Sequence, residues 1–196
     1  MSIAELNSRA AVTAAPLIPA LAERWSPRAF DPTAVVPETA LTAALEAARW
    51  SPSASNTQPW RFIVARRGSA EFDTIASALM GFNQAWAGSA SALIVAIAEM
   101  EDAEGTPRRW ATYDLGQAVA HLSVQAHHDG LHVHQMGGFD VDALRSAFDI
   151  EERFVPTSVS AIGILGDPEA LPDPLREREL APRSRAALDE IVVVNA

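Results

Sequence analysis

The sequence predicts an α+β fold, with helices laid against a sheet in a sandwich. Helical and strand patterns alternate along the chain, but without the regular strand–helix–strand spacing of a doubly wound sheet. There is no Gly-x-Gly-x-x-Gly and no Gly-Lys-Ser/Thr, so neither a Rossmann fingerprint nor a phosphate-binding P-loop is present. A continuous apolar run at 92–98 supplies the expected central strand.

The elements follow in order. Residues 1–15 carry little pattern and are expected to fray. Leu17 to Arg24 reads as a short helix that delivers Arg24, Ser26 and Arg28 at its exit, where Pro27 and Pro32 break regular backbone. Two arginines beside a hydroxyl suit a phosphate, because the guanidinium fork matches its oxygens in pairs. A solvated charge pair is the plain alternative.

Pro37 and Glu38 announce a helix over 38–50, with Leu41, Ala44, Leu45 and Ala48 on one apolar face. It runs into Ser51-Pro52-Ser53-Ala54-Ser55-Asn56-Thr57-Gln58-Pro59-Trp60, ten residues without a charge. Two prolines stiffen this loop, so Ser53, Ser55, Asn56 and Gln58 point in defined directions. Their hydroxyls and amides both donate and accept, which suits a flat heteroaromatic ligand. The plain alternative is a polar connection that bonds its own backbone.

A strand is expected from Trp60 to Ala65, a helix over 69–79, and a connection from Gly81 to Gly88 in which Trp86 packs. After the strand at Ala92 to Ala98, the acidic segment Glu99 to Gly105 reads as a surface loop. A long helix over 109–128 puts Leu115, Ala118, Val119, Leu122 and Ala126 on one face and ends at Asp129-Gly130. Its small residues Gly116, Ala118 and Ala120 make it a candidate dimer seam. Leu131 to Met136 is a strand leading to Gly137-Gly138, where backbone can approach a ligand closely. Asp140 caps a helix over 141–148 with Val141, Leu144 and Phe148 inward. Ser158 to Leu165 is the last strand. A proline-rich surface linker runs to about 182, a short helix covers 184–191, and Ile191 to Val194 is a β-prone tail.

At 196 residues and 48% apolar, residues 1–196 read as one folded domain. The net charge of −10 argues against nucleic acid and against an anionic membrane surface. Cysteine is absent, which removes disulfides, thiol chemistry and cysteine-based metal sites. Residues 10–22 faintly suggest a signal peptide, but Glu5 and the prolines speak against it, no apolar run reaches membrane length, and a cytoplasmic location is expected. The five histidines, His121, His127, His128, His132 and His134, are not completed into a ligand set, so no metal is expected. Paired carboxylates, a Gly-x-Ser-x-Gly elbow and a Ser-His-Asp spacing are not evident either. What remains is chemistry carried by a cofactor.

The decapeptide Ser51 to Trp60 closely resembles the signature loop of the nitroreductase family of FMN-dependent oxidoreductases. Arg24-Trp25-Ser26-Pro27-Arg28-Ala29-Phe30 resembles that family's opening Arg-x-Ser-x-Arg-x-Phe. Gly137-Gly138-Phe139 and Arg183-Ser184-Arg185 follow in the family's order, so the resemblance covers roughly residues 20–192.

It implies a mixed, largely antiparallel sheet flanked by helices, in an intertwined homodimer with two FMN molecules in the subunit interface. Arg24, Ser26, Arg28, Arg183 and Arg185 would hold the phosphate and ribityl chain. Gly137 and Gly138 would lie against the isoalloxazine, with the Gly138 N–H near flavin N5. Pro52, Ser53, Ala54, Asn56 and Gln58 would come from the partner subunit. Gln135 and Met136 would also border the flavin, at places where many family members carry a proline. Gly137 stands where some carry a glutamate. Trp25 would pack on the flavin or on the core. The implied activity is electron transfer from NADH or NADPH to a nitroaromatic, quinone or similar small acceptor by a ping-pong mechanism. The alternatives are a non-enzymatic flavin-binding module, or dehalogenation, flavin destruction or azoline oxidation on the same fold. The tail at 190–196 is expected to pair with the partner subunit.

Overall fold

Every residue of strand β2 (Ala92–Glu99) is buried, and the rest of the fold is laid around it. In the computed structural model, which describes residues 9–195, β2 lies between β1 (Trp60–Arg66) and β4 (Phe154–Gly163). Strand β3 (His132–Met136) pairs with β4, giving the order β1-β2-β4-β3. All of these pairings are antiparallel, so no parallel pair accompanies them among the described residues.

Alternation along β2 separates two cores. Leu93, Val95 and Ile97 point to one face, covered by α3 (Ala70–Ala78), α5 (Val141–Ala147) and Trp86. Ile94, Ala96 and Ala98 point to the other, covered by α2 (Glu38–Arg49) and α4 (Ala111–His128). The face of α2 read from its spacing is the one used: Leu41, Ala44 and Ala48 are buried. In α4 the apolar set Leu115, Ala118, Val119, Leu122 and Ala126 is buried against the sheet. Gly116 and Ala120 are exposed on the opposite side, so the expected seam of three small residues is split: Ala118 belongs to the chain's own core.

Several expectations are corrected. The last strand begins at Phe154, four residues early, because a register shift opposite Ala96 and Ile97 accommodates Pro156. Glu99 ends β2 rather than opening a surface loop. Its carboxylate is buried among Arg61 at 3.1 Å, Arg153 at 2.5 Å and Arg108 at 3.8 Å. The proline-rich linker folds into helix α6 (Asp173–Leu180), with Leu175 and Glu179 buried. The first helix is only α1 (Pro19–Glu23), and the last is α7 (Leu188–Ile191). Residues 1–8, part of the segment expected to fray, lie outside the described residues, as does Ala196. Residues from Arg9 onward are tied down, the Ala11 N–H donating to Ala22 O at 2.7 Å. No helix among the described residues is long and apolar enough to cross a membrane.

Candidate active site

The Ser51–Trp60 loop joins α2 to β1 in a strained conformation. Ser55, Asn56 and Gln58 all have positive φ, at 52°, 56° and 47°. Residues with a β-carbon enter this region at a cost on the order of 1 kcal/mol each, and persist there only when their surroundings over-determine them. Here the backbone is pinned from several sides. Ala54 N–H donates to the buried Asp114 carboxylate at 3.0 Å, and Ser53 Oγ accepts the Gln58 N–H at 3.0 Å. Arg108 donates to Thr57 O at 2.8 Å and Arg61 to Gln58 O at 3.1 Å. The side chains of Asn56 and Gln58 remain exposed. The polar-connection alternative holds in part, since Gln58 Nε2 bonds Asn56 O at 3.3 Å. It does not account for three left-handed residues among the four from Ser55 to Gln58.

The opening arginine segment is fixed at the far side of the sheet. Phe30 bridges Leu165, Gly166 N–H donates to Ala29 O at 2.9 Å, and a β-carbon on Gly166 would lie 2.5 Å from Phe30 backbone. Glu179 accepts the N–H groups of Arg28 and Ala29. Burial pushes that carboxyl up, against the hydrogen bonds of Ala29 and Arg28 and the charges of Arg28 and Arg9. The Arg28 guanidinium lies 3.8 Å from Glu179, so its charge is already countered within the chain. His134 on β3 shares a 2.8 Å hydrogen bond with Pro27 O through Nδ1, and burial lowers its pKa to about 4. A neutral ring at ordinary pH donates from that nitrogen.

Arg24, Arg183 and Arg185 form the one concentration of positive charge that this segment leaves uncompensated: no ion pair joins any of them to a carboxylate among the described residues. Burial and then Arg185 pull the Arg24 pKa down, and Arg183 is lowered by burial, Arg24, Arg185 and Arg9 in turn. Guanidinium cannot shed its proton near neutral pH, so the repulsion stands until an anion relieves it. Arg183 also has a structural duty, donating to Arg9 O at 2.5 Å and Ala22 O at 2.9 Å.

Gly137 and Gly138 leave the exposed end of β3. Gly138 O accepts the Met80 N–H at 3.0 Å and the Asn83 amide at 3.2 Å, while neither glycine's own N–H has an acceptor among the described residues. Gln135 is turned back by a 3.0 Å bond to the buried Ser123 hydroxyl. Met136 packs its side chain into the core, which leaves only its backbone for a ligand. Trp25 takes the packing alternative, wedged with Leu165 and Leu180 beneath the Arg9 guanidinium at 4.4 Å. Pro52 and Ser26 are accessible at their respective sites.

The candidate residues of a single chain therefore fall into two groups. Ser26 and Arg28 flank Pro27, which bonds His134 of β3, Arg24 and Arg183 act on His127 beside His132 of β3, and the glycine pair follows β3, whereas Ser53, Ala54, Asn56 and Gln58 stand where the chain enters β1, the opposite edge. Three strand spacings, roughly 14 Å, separate the two edges. Sequence reasoning missed Glu179, Asp114, His134 and Asn83, which hold the site in place. Their only sequence signal is residue type, because each acts on a segment far away in the chain.

An antiparallel sheet with helices on both faces, carrying these motifs at its edges, defines a class of protein that matches a known family. The sequence model of the nitroreductase family matches residues 21–85 and 69–164, and the chain belongs to that family. A Mycolicibacterium smegmatis protein known as an uncharacterized 15.4 kDa protein in the ask 5′ region is 38% identical over 139 residues, 67% of this chain and 92% of that one. A Bacillus subtilis protein with the provisional name NAD(P)H nitroreductase YdgI is 27% identical, over 74% of this chain and 86% of its own. Among solved structures, one described as an oxidoreductase containing FMN is 40% identical, with a TM-score of 0.87 over 94% of both chains. A nitroreductase family protein from Clostridium novyi NT shares the fold at 23% identity, TM-score 0.65, over 77% of this chain and 87% of its own.

Proposed function

We propose that this protein is an FMN-dependent oxidoreductase that takes electrons from NADH or NADPH and delivers them to a small quinone or nitroaromatic acceptor. The observation that carries the reading is the uncompensated group Arg24, Arg183 and Arg185, of which Arg24 and Arg183 act on His127 against the first residue of β3, the strand that leads to Gly137-Gly138. Such a group fits one terminal phosphate, and the exposed glycine backbone after β3 fits a flat ring. The 40% identical structure that contains FMN supports the same cofactor here.

When bound, FMN supplies reversible two-electron chemistry, which permits alternating half-reactions with donor and acceptor. The protein's part is to bind, orient and polarise. Arg24 and Arg185 would neutralise the phosphate, with Ser26 on the ribityl side, while Arg183 holds the N-terminal segment against them. The Gly138 N–H would donate near N5, where a backbone donor favours developing negative charge. Met80 and Asn83 hold the Gly138 carbonyl and so anchor the peptide that follows it. Ser53, Asn56 and Gln58 would reach the ring from a second subunit, because their own chain keeps them on the opposite edge. No side-chain acid or base is assigned, and the proton would come from solvent. A homodimer is thus part of the proposal.

Release of the cofactor by heat and its identification by mass tests the first half; recovered FAD, or no flavin at saturating FMN, would overturn it. Steady-state oxidation of NADH and NADPH by the yellow protein with an added quinone or nitroarene tests the second. A protein that binds FMN but oxidises neither nucleotide would be a non-enzymatic flavin-binding module.

A further inference from the structure

Beside the signature loop lies a surface cavity of about 310 Å³, lined by Ser55, Thr57, Arg108, Arg109, Trp110 and Asp114 among others. A second cavity of about 390 Å³ continues it past Pro52 and Ser53 to Tyr113, and Trp110 borders both. Trp110 is 52% exposed, with Tyr113 edge-on at 6.2 Å. The Arg109 guanidinium stands 5.1 Å from the centre of the Trp110 ring.

The charges around this cavity are unevenly committed. Asp114 is held by the Ala54 N–H, and Asp102 by the N–H groups of Glu104 and Thr106. Arg108 is drawn to Glu99 and donates to Thr57 O. Arg109 is exposed and in no ion pair among the described residues. An exposed cation over an exposed indole offers two complementary contacts: a planar face for an aromatic ring and a fork of donors for an anionic substituent.

We propose that this cavity selects the small-molecule redox partner, and that Trp110 and Arg109 determine its preference for a planar aromatic bearing a carboxylate or phosphate. The inference rests on the flavin reading above, because residues of the same loop wall the cavity and address the cofactor. Two sources share this chemistry: an aromatic acid as acceptor, or a nicotinamide nucleotide carrying a 2′-phosphate. Uncharged quinones would use Trp110 alone.

The test compares the wild-type protein with Arg109→Gln and Trp110→Ala using matched pairs of probes. 4-Nitrobenzoate against 4-nitrobenzamide reads the acid acceptor, and NADPH against NADH reads the phosphorylated donor. Arg109→Gln should raise KM for the anionic member of one pair about tenfold and leave the neutral or unphosphorylated member unchanged. Trp110→Ala should weaken both members of that pair. Calorimetric titration with 4-nitrobenzoate and with 2′-phospho-ADP-ribose gives the same comparison without turnover. A wild-type protein that binds no FMN would count against the flavin reading, yet these titrations would still report on the cavity. FMN-loaded Arg109→Gln that treats both pairs as the wild type does, or wild-type protein that binds neither anionic probe, overturns the proposal.

Discussion

The Glu179 carboxylate, with none of its side chain exposed, accepts the Arg28 N–H at 2.9 and 3.0 Å and the Ala29 N–H at 3.1 Å. Those residues lie about three-quarters of the chain apart in sequence, and the contact fastens the opening arginine segment to α6. Glu179→Ala would strand two donors in the interior and leave Arg28 without its counter-charge. The expected loss is about 3 kcal/mol of folding stability, with weaker FMN binding in the folded fraction. Glu179→Gln should fall between the two, since an amide oxygen still accepts. Urea unfolding paired with FMN titration checks both; unchanged stability in Glu179→Ala would show that α6 docks without it.

Arg24, Arg183 and Arg185 should part company on mutation. Arg24→Ala and Arg185→Ala each remove a charge-assisted contact to phosphate, roughly 1.5–3 kcal/mol of FMN affinity in a partly desolvated site. Neither should destabilise the cofactor-free protein, because each also relieves repulsion from the other. Arg183→Ala should lower stability as well as affinity, since that side chain holds two backbone carbonyls. Unfolding midpoints with and without FMN separate the two behaviours. Equal FMN affinity in wild type, Arg24→Ala and Arg185→Ala would remove the phosphate assignment.

How much of this was legible in the sequence depended on how local the cause was. The buried face of α2 follows from spacing and the buried central strand β2 from its continuous apolar run, and Asp129-Gly130 marked the end of α4 correctly. Helix α6 was hidden because only Leu175 and Glu179 along it are buried, too few to print a period, and Glu179 is held by residues near the chain's start. Glu99 looked like the beginning of an acidic loop. Its burial depends on arginines from β1, from the turn before β4 and from the segment before α4, which no linear reading assembles. The site was visible as motifs, but its division between opposite sheet edges required the strand order.

Acid should weaken the fold through two histidines. Burial holds His132 and His134 at about 4, against an ordinary 6.5. His127, itself lowered chiefly by burial, faces His132 at 5.1 Å and adds to that depression. The unfolded chain therefore binds more protons between these values, and stability rises with pH across that window. It is fully present above about 6.5 and is lost as pH falls towards 4. At pH 5 each ring should contribute a loss on the order of 1–2 kcal/mol. Urea midpoints measured from pH 7.5 to 4.5, repeated with His134→Gln, check this; an unaltered slope in that variant would mean His134 does not titrate as its burial implies.

The final expectation concerns the tail. Ile191, Val193 and Val194 are 64%, 92% and 77% exposed, so among the described residues this β-branched run does not dock on its own subunit. Left in water it would be an adhesive strand with an unpaired backbone. Strands β1 and β3 each leave one edge of the sheet free for such a segment from a second copy. Pairing there would satisfy its hydrogen bonds and bury its side chains. It would also hold the second subunit in place to bring Ser53, Asn56 and Gln58 to the glycine pair. Deleting residues 191–196 should accordingly loosen the dimer and lower FMN occupancy together, because the proposed flavin site needs both edges. Sedimentation velocity and flavin absorbance on the same truncated sample read the two effects. A truncated protein that stays dimeric and fully yellow would show that the dimer is held elsewhere.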